Sequence, residues 1–247
     1  MSQEYLDNLL NTINEYGDAS KITHSYFGLS QTVILEGSVY INNIDFFSDP
    51  NLKRNKIKVI GSLQLENLVI NELTNFPESC SNLIMDNCQM NVVNSVNKIK
   101  LENFQAQYCF FKDFVFIDSL NNNSPIRDFR IMNDSKVNSF KGIENKNISQ
   151  FIISNCENID YIDYLPKIFL KLNINKTKID KISHCINKNH NIEYDEKSFN
   201  FYDNALKLEE LVLIFKKLNF SIDKDKLNKI LLTQNERIKL RSIMKNL

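Results

Sequence analysis

Two groups of side chains in this chain have the types and spacing to do chemistry. The first is a set of carboxylates, Glu66, Asp86 and Glu102, each following an alternating apolar pair, as in Leu63-x-Leu65-Glu66 and Leu83-x-Met85-Asp86. Paired carboxylates act as acid and base on a glycosidic bond when a fold holds them a few ångströms apart. The second group is His184, Cys185 and His190. A zinc site needs a full set of nitrogen or sulfur ligands at recognisable spacing, and no second thiolate pair accompanies these residues. A nucleophilic cysteine needs a histidine and an orienting group beside it, and Cys185 is the one local candidate. His24 is isolated, and five glycines leave little from which to build a phosphate loop. No metal and no cofactor are expected.

The carboxylates meet only if the motif that carries them stacks. That motif reads apolar, any, apolar, any, Asn, then an apolar residue, Cys or another small residue. Its copies are Val39-x-Ile41-x-Asn43-Ile44, Leu63-x-Leu65-x-Asn67-Leu68, Leu83-x-Met85-x-Asn87-Cys88 and Ile99-x-Leu101-x-Asn103-Phe104. It continues as Phe129-x-Ile131-x-Asn133-Asp134, Phe151-x-Ile153-x-Asn155-Cys156 and Leu170-x-Leu172-x-x-Asn175, with a weak last copy at Ile192-x-Tyr194. The starts lie 24, 20, 16, 30, 22, 19 and 22 residues apart, the period of a solenoid. Alternate apolar residues define a strand with one face inward. The Asn falls where the strand must end, and its amide can bond its own turn and the next copy's, giving a ladder. One strand per copy, laid on the next, makes an elongated scaffold with a long exposed face.

Leu83-x-Met85-x-x-Cys88-x-Met90 and Leu170-x-Leu172-x-x-Asn175 resemble the leucine-rich-repeat consensus, L-x-L-x-x-N/C-x-L. In most copies the Asn stands one position earlier than the consensus Asn or Cys. The resemblance implies a curved parallel sheet whose solvent-facing residues bind protein partners without catalysis. The expected fold is an α/β repeat solenoid of leucine-rich-repeat type with helical caps. A parallel β-helix, with coils of similar length, is the alternative. β-Helix enzymes acting on polysaccharides often gather carboxylates on one solvent face, which is the enzyme reading of Glu66, Asp86 and Glu102.

On this register the second motif position presents Tyr40, Gln64, Ile84, Lys100, Arg130, Ile152 and Lys171 to solvent. The fourth presents Asn42, Glu66, Asp86, Glu102, Met132, Ser154 and Asn173. All of these except Asn42 and Ser154 form the expected partner-binding set. The acids would make a strip, with Lys100, Arg130 and Lys171 along the neighbouring column. Ile84, Met132 and Ile152 add apolar contacts, and a mixed apolar and charged face is the composition of a protein interface. The run Tyr108, Phe110, Phe111, Phe114, Phe116 reads first as core filling and second as an exposed anchor for a partner. Phe114-x-Phe116 suggests a further strand inside the 30-residue step.

Helical spacing of Tyr5, Leu6, Leu9, Leu10 and Ile13 predicts a helix over 3–16 that stops at Gly17 and covers the open end of the stack. Thr32–Leu35, closed by Glu36-Gly37, reads as a strand and turn. Past Asp203, Leu206, Leu211, Ile214, Phe215 and Leu218 predict a helix. Asp223 starts a second, and Thr233 with Glu236 forms a capping box for a third. The expected divisions are 1–37, a capping segment; 38–202, the solenoid; and 203–247, a helical unit.

Hydrophobic content of 43% argues against global disorder. Thirty basic and thirty acidic residues argue against a dedicated nucleic-acid binder. No apolar run approaches the ~20 residues of a membrane span. Met1-Ser2-Gln3-Glu4 lacks the features of a signal peptide. The five cysteines show no CxxC spacing and read as reduced thiols of a cytoplasmic protein. Heavy use of Asn, Ile and Lys suits an AT-rich genome, such as that of a phage or a low-GC bacterium.

Overall fold

In the computed structural model of the chain, the alternating apolar residues fold as stacked strands, a parallel β-solenoid of about six turns. The structure describes residues 3–18, 23–27, 32–43, 56–73, 76–92, 97–120, 125–167, 170–186, 199–201 and 205–218. Helix α1 (Gln3–Tyr16) leads into β1 (Gly17–Asp18), β2 (Thr23–Phe27) and β3 (Thr32–Ile41). Then come β4 (Lys56–Glu66), β5 (Val69–Ile70), β6 (Ser79–Asp86), β7 (Gln89–Met90), β8 (Ile99–Gln107) and β9 (Phe110–Phe111). The chain continues through β10 (Ile117–Ser119), β11 (Ile126–Met132), β12 (Lys136–Val137), β13 (Ile148–Cys156), β14 (Lys171–Thr177) and β15 (Phe199–Asn200) to helix α2 (Leu208–Lys217).

The main sheet runs β1-β3-β4-β6-β8-β11-β13-β14-β15, with β2 on β3 and β10 on β8. Its strands are parallel from β3 onward, whereas β1 and β2 lie antiparallel on β3. The short strands β5, β7, β9 and β12 form a second parallel sheet on the return side. Among the described residues the helices are α1, α2 and one 3-10 turn at Ser183–Cys185. A turn near 20 residues that gives 11 of them to β4, or 8 to β6, leaves too few for a helical return. The architecture fits the parallel β-helix alternative better than a helix-backed α/β repeat.

The pairing register identifies the rungs. Val39, Leu63, Leu83, Phe104, Phe129, Phe151 and Leu172 lie side by side. Their spacing, 24, 20, 21, 25, 22 and 21 residues, is more even than the sequence pattern suggests. Two expected copies are therefore displaced. The fourth is Phe104-x-Ala106-x-Tyr108-Cys109, five residues past Ile99. The seventh is Leu172-x-Ile174-x-Lys176-Thr177, two past Leu170. The cause is that a long strand contributes two inward apolar pairs, one on each side of a bend. In β8 these are Ile99/Leu101 and Phe104/Ala106, all buried. β3 likewise continues as one strand through Glu36-Gly37, where the sequence predicts a turn, so the first rung starts at Thr32. The weak copy at Ile192 lies outside the described residues.

The fifth motif position is a left-handed corner. Asn67, Asn87, Asn133 and Asn155 have φ of 58, 48, 50 and 54°. Asn tolerates this conformation better than other residues with a Cβ, which explains its recurrence. The Asn87 amide donates to Asn67 Oδ1 at 2.7 Å, and that of Asn155 to Asn133 Oδ1 at 3.5 Å. The ladder is thus real but broken at Tyr108, which holds φ 54° on an exposed corner. At the sixth position Cys88, Cys109 and Cys156 donate their Sγ–H to the carbonyls of Asp86, Gln107 and Ser154, at 3.2, 3.0 and 3.2 Å. A small side chain with a donor suits this place because it satisfies a carbonyl where the strand ends. Replacing Tyr108 with Asn relieves the strained corner and fills the gap in the ladder. A gain of about 1 kcal/mol is expected, measured as a higher urea midpoint with unchanged slope.

The middle turns are filled by rings. Phe104, Phe111, Phe114, Phe116, Phe129, Phe140 and Phe151 are fully buried, and Ala106 leaves them room. The aromatic run is core: within it, Tyr108 is exposed, Phe110 half-buried and the other rings inside. Phe114 and Phe116 lie between β9 and β10 and form no strand of their own.

Both ends are covered. Leu9 and Ile13 of α1 join the core, while the Tyr5 and Leu6 side chains lie outside the described set. β1 and β2 pair along the free edge of β3, which would otherwise expose unpaired backbone groups. At the other end Leu206, Leu211, Ile214 and Phe215 bury α2 against the last turn. Buried Glu210 accepts the backbone N–H groups of Ile182 and Ser183 at 2.9 and 2.5 Å, and the Lys217 ammonium donates to the Ser183 carbonyl at 2.7 Å. The second and third predicted helices lie outside the described residues. No helix among the described residues is long and apolar enough to cross a membrane.

The Glu210 contact gives a pH prediction. Burial opposes its charge, but hydrogen bonds from Ser183 and the Ile182 N–H outweigh that and hold its pKa below the ordinary 4.5. A depressed carboxyl pKa stabilises fully above the unfolded value, and the contribution is lost as pH falls through the folded one. Docking of α2 is therefore expected to weaken below pH 4.5, read as faster hydrogen exchange at Ile182 and Ser183 after correction for intrinsic rates. Glu210→Ala leaves two buried N–H groups without an acceptor, at about 1–3 kcal/mol.

Candidate functional site

The corrected register rearranges the expected binding columns. The second position now carries Tyr40, Gln64, Ile84, Gln105, Arg130, Ile152 and Asn173. The fourth carries Glu66, Asp86, Gln107, Met132, Ser154 and Asn175. Lys100 sits on the first half of β8, beside Ser79 and Asp118. Glu102 sits at the bend of the same strand and pairs with Arg127 at 3.2 Å. Lys171 stands beside Gln150, outside both columns, and Asn173 moves from the fourth column to the second, next to Ile152.

The acidic strip therefore shrinks to two adjacent rungs, Glu66 and Asp86. Both are engaged. The Tyr40 hydroxyl donates to Glu66 Oε2, and the Asn67 amide to Oε1 at 3.3 Å. The bond to Glu66 holds the Tyr40 hydroxyl above its ordinary pKa. The Gln107 amide donates to Asp86 Oδ2 at 2.8 Å.

The histidine and cysteine candidates separate. The Cys185 thiol donates inward to the Ile162 carbonyl at 3.0 Å, and burial pushes its pKa up to about 12. His184 faces solvent and stacks on the Tyr161 ring, centroids 5.1 Å apart. The 3-10 turn thus points neighbouring side chains in different directions, and the pair has no nucleophile–base contact. His190 lies outside the described residues. Cys80 and Cys156 are likewise raised to about 12 by burial. Cys109 is raised by its hydrogen bond with Cys88 and then by burial. All five cysteines are free; the four raised thiols stay protonated and unreactive, whereas the hydrogen bond from Cys109 lowers the pKa of buried Cys88. Among the described residues no three His, Cys, Asp or Glu side chains gather as a metal site would require.

A third column emerges that the sequence reading passed over. It is the residue just before each apolar pair: Ser62, Asn82, Asn103, Asp128, Gln150 and Lys171. Its signal is a polar residue in every copy, readable only once the copies are aligned. The Asn103 amide donates to Asn82 Oδ1 at 2.8 Å, and the Asn82 amide to Ser62 Oγ at 3.2 Å. Arg130 holds Asp128 Oδ2 at 2.9 Å, and Asp128 Oδ1 is buried with no donor in reach. Between this column and the second position lies an open cleft of about 530 Å³, reaching from Ser62 to Gln150. No family model, curated protein or solved structure matches the chain.

Proposed function

We propose that the protein is a non-catalytic interaction module, an adaptor or inhibitor that binds a partner protein through the outer face of its long sheet. The observation that carries this reading is the cluster Arg130, Met132 and Ile152. Arg130 and Ile152 are paired neighbours, Met132 lies two residues along the same strand, and all three are part-exposed. Arg and Met are enriched in protein interfaces, and a solvated strand has no need of the two apolar groups. The enzyme reading has less support. Its third carboxylate, Glu102, is on a different part of the coil, and Glu66 and Asp86 are tied to neighbours rather than facing an open site.

The test is capture of partners from the native host with the wild-type chain and with Met132→Glu and Ile152→Glu variants. A partner retained by the wild type and lost by both variants, with the fold intact by circular dichroism, is the expected result. Identical capture by all three would refute the face.

A further inference from the structure

We infer that the cleft beside the third column is a binding site for a neutral, hydroxyl-rich linear chain, a stretch of glycan lying along the solenoid axis. The cleft crosses five rungs, from Ser62 on β4 to Gln150 on β13. At about 4.8 Å per rung this is a groove on the order of 19 Å long. Its volume, about 530 Å³, is that of a ligand site.

The lining chemistry selects the ligand. Asn82, Asn103, Gln105 and Gln150 offer amides, each with donors and an acceptor on one plane. A sugar hydroxyl is also donor and acceptor at once, so successive amides match successive hydroxyls. Asn82 and Asn103 are held in place by their bonds to Ser62 and to each other, which use one N–H of each amide. Asp128 also lines the cleft, its Oδ1 closed to solvent and without a donor. Arg130, already aligned on the other carboxylate oxygen, supplies donors beside it.

Charge and polarity exclude the competitors. Arg130 is paired with Asp128 and Arg127 with Glu102, so no cationic excess awaits a polyanion. Apolar lining is scant: Leu83 and Phe104 are buried floor, and Ile84 is the one outward apolar side chain. A protein segment would want apolar pockets for its anchors. This site shares Arg130 with the proposed partner face, but Met132 and Ile152 do not line it, so the two are probed by different residues.

The test is a microarray of linear cello-, xylo-, malto- and chito-oligosaccharides with oligogalacturonate and a random peptide library alongside, followed by calorimetry on any hit. Binding of a neutral oligosaccharide, weakened about tenfold by each of Asn103→Ala, Gln150→Ala and Asp128→Asn but not by Ile152→Glu, is expected, on the scale of one lost hydrogen bond per variant. Thermal melts establish that each variant is folded. A glycoprotein probed before and after glycosidase treatment separates a glycan borne on protein from a free polysaccharide. No binding to any neutral oligosaccharide by the folded wild type overturns the inference. So does preference for oligogalacturonate, or a peptide hit abolished by Asn103→Ala. Since the partner face is tested by other residues, either result can fail alone.

Discussion

Phe104→Ala is expected to cost about 3–5 kcal/mol, the range for truncating a buried phenylalanine. Phe104 is fully buried at the meeting point of three stretches of chain. Its ring lies 4.9 Å from Phe129 on the next rung, and 5.7, 6.0 and 6.4 Å from Phe111, Phe114 and Phe116 on the return side. Truncation opens a void in the middle of the stack, where Ala106 is too small to fill it. A solenoid owes its cooperativity to contacts between adjacent turns. The variant should therefore also separate the turns before β8 from those after it. Urea unfolding reads both effects: a lower midpoint, and a shallower slope or a second transition where the wild type has one. Phe104→Leu should lose far less and keep the single transition. A cost under about 1.5 kcal/mol for the alanine variant would mean that neighbouring rings collapse into the space, and the aromatic cluster would not be the link between the halves.

The same region shows why the sequence was readable in outline and misleading in detail. Alternating apolar pairs followed by Asn are legible because strand geometry and the left-handed corner both restrict residue choice. Those restrictions are strong at Leu63–Asn67, Leu83–Asn87 and Phe151–Asn155, and there the expected register holds. In the fourth turn Ala106 replaces a large apolar residue and Tyr108 replaces Asn. Each is tolerated because the rings around Phe104 fill the core and the corner is exposed. Meanwhile Ile99-x-Leu101-x-Asn103 meets the pattern on the other side of the bend, where Asn103 serves the amide chain with Asn82 rather than a corner. In the last turn Lys176 takes the left-handed corner with φ 47°, and Asn175 beside it mimics the motif. Partner columns built on those copies inherited the slip, which is why Lys100, Glu102, Lys171 and Asn173 moved. The cleft was hidden for the same reason, since its column aligns only when all the rungs do. Cys88 and Cys156 were legible as the sixth residue of the motif, but the hydrogen bonds of the sixth-position thiols to strand-end carbonyls depend on the corner and have no signature in spacing alone.

Gly61→Ala is the second large effect, and it tests how the first turns are joined. Gly61 has φ 141°, a conformation that residues with a Cβ rarely adopt, and pairs with Gly37 at φ 130°. A Cβ on Gly61 would stand 2.0 Å from the Gly37 carbonyl oxygen and 2.8 Å from its carbon. Both are backbone atoms, so the clash cannot be relieved by a rotamer change. The two glycines thus let β3 and β4 bend together. One rung on, the register shifts between Val59 and Ser62, where Ile60 and Gly61 oppose the single residue Ser81. That bulge turns Ile60 out to 54% exposure and lets β6 make the bend with one residue fewer. The conformational strain alone is worth about 1–3 kcal/mol, and the clash adds to it by prising β3 from β4. The expected result is a marked fall in the thermal midpoint, with hydrogen-exchange protection lost first at Val33–Ile41 and Ile57–Leu65 and retained in β11 to β14. Uniform loss along the whole stack would instead mean that the turns melt as one unit, and a near-neutral substitution would mean that the strands can part at the bend without cost.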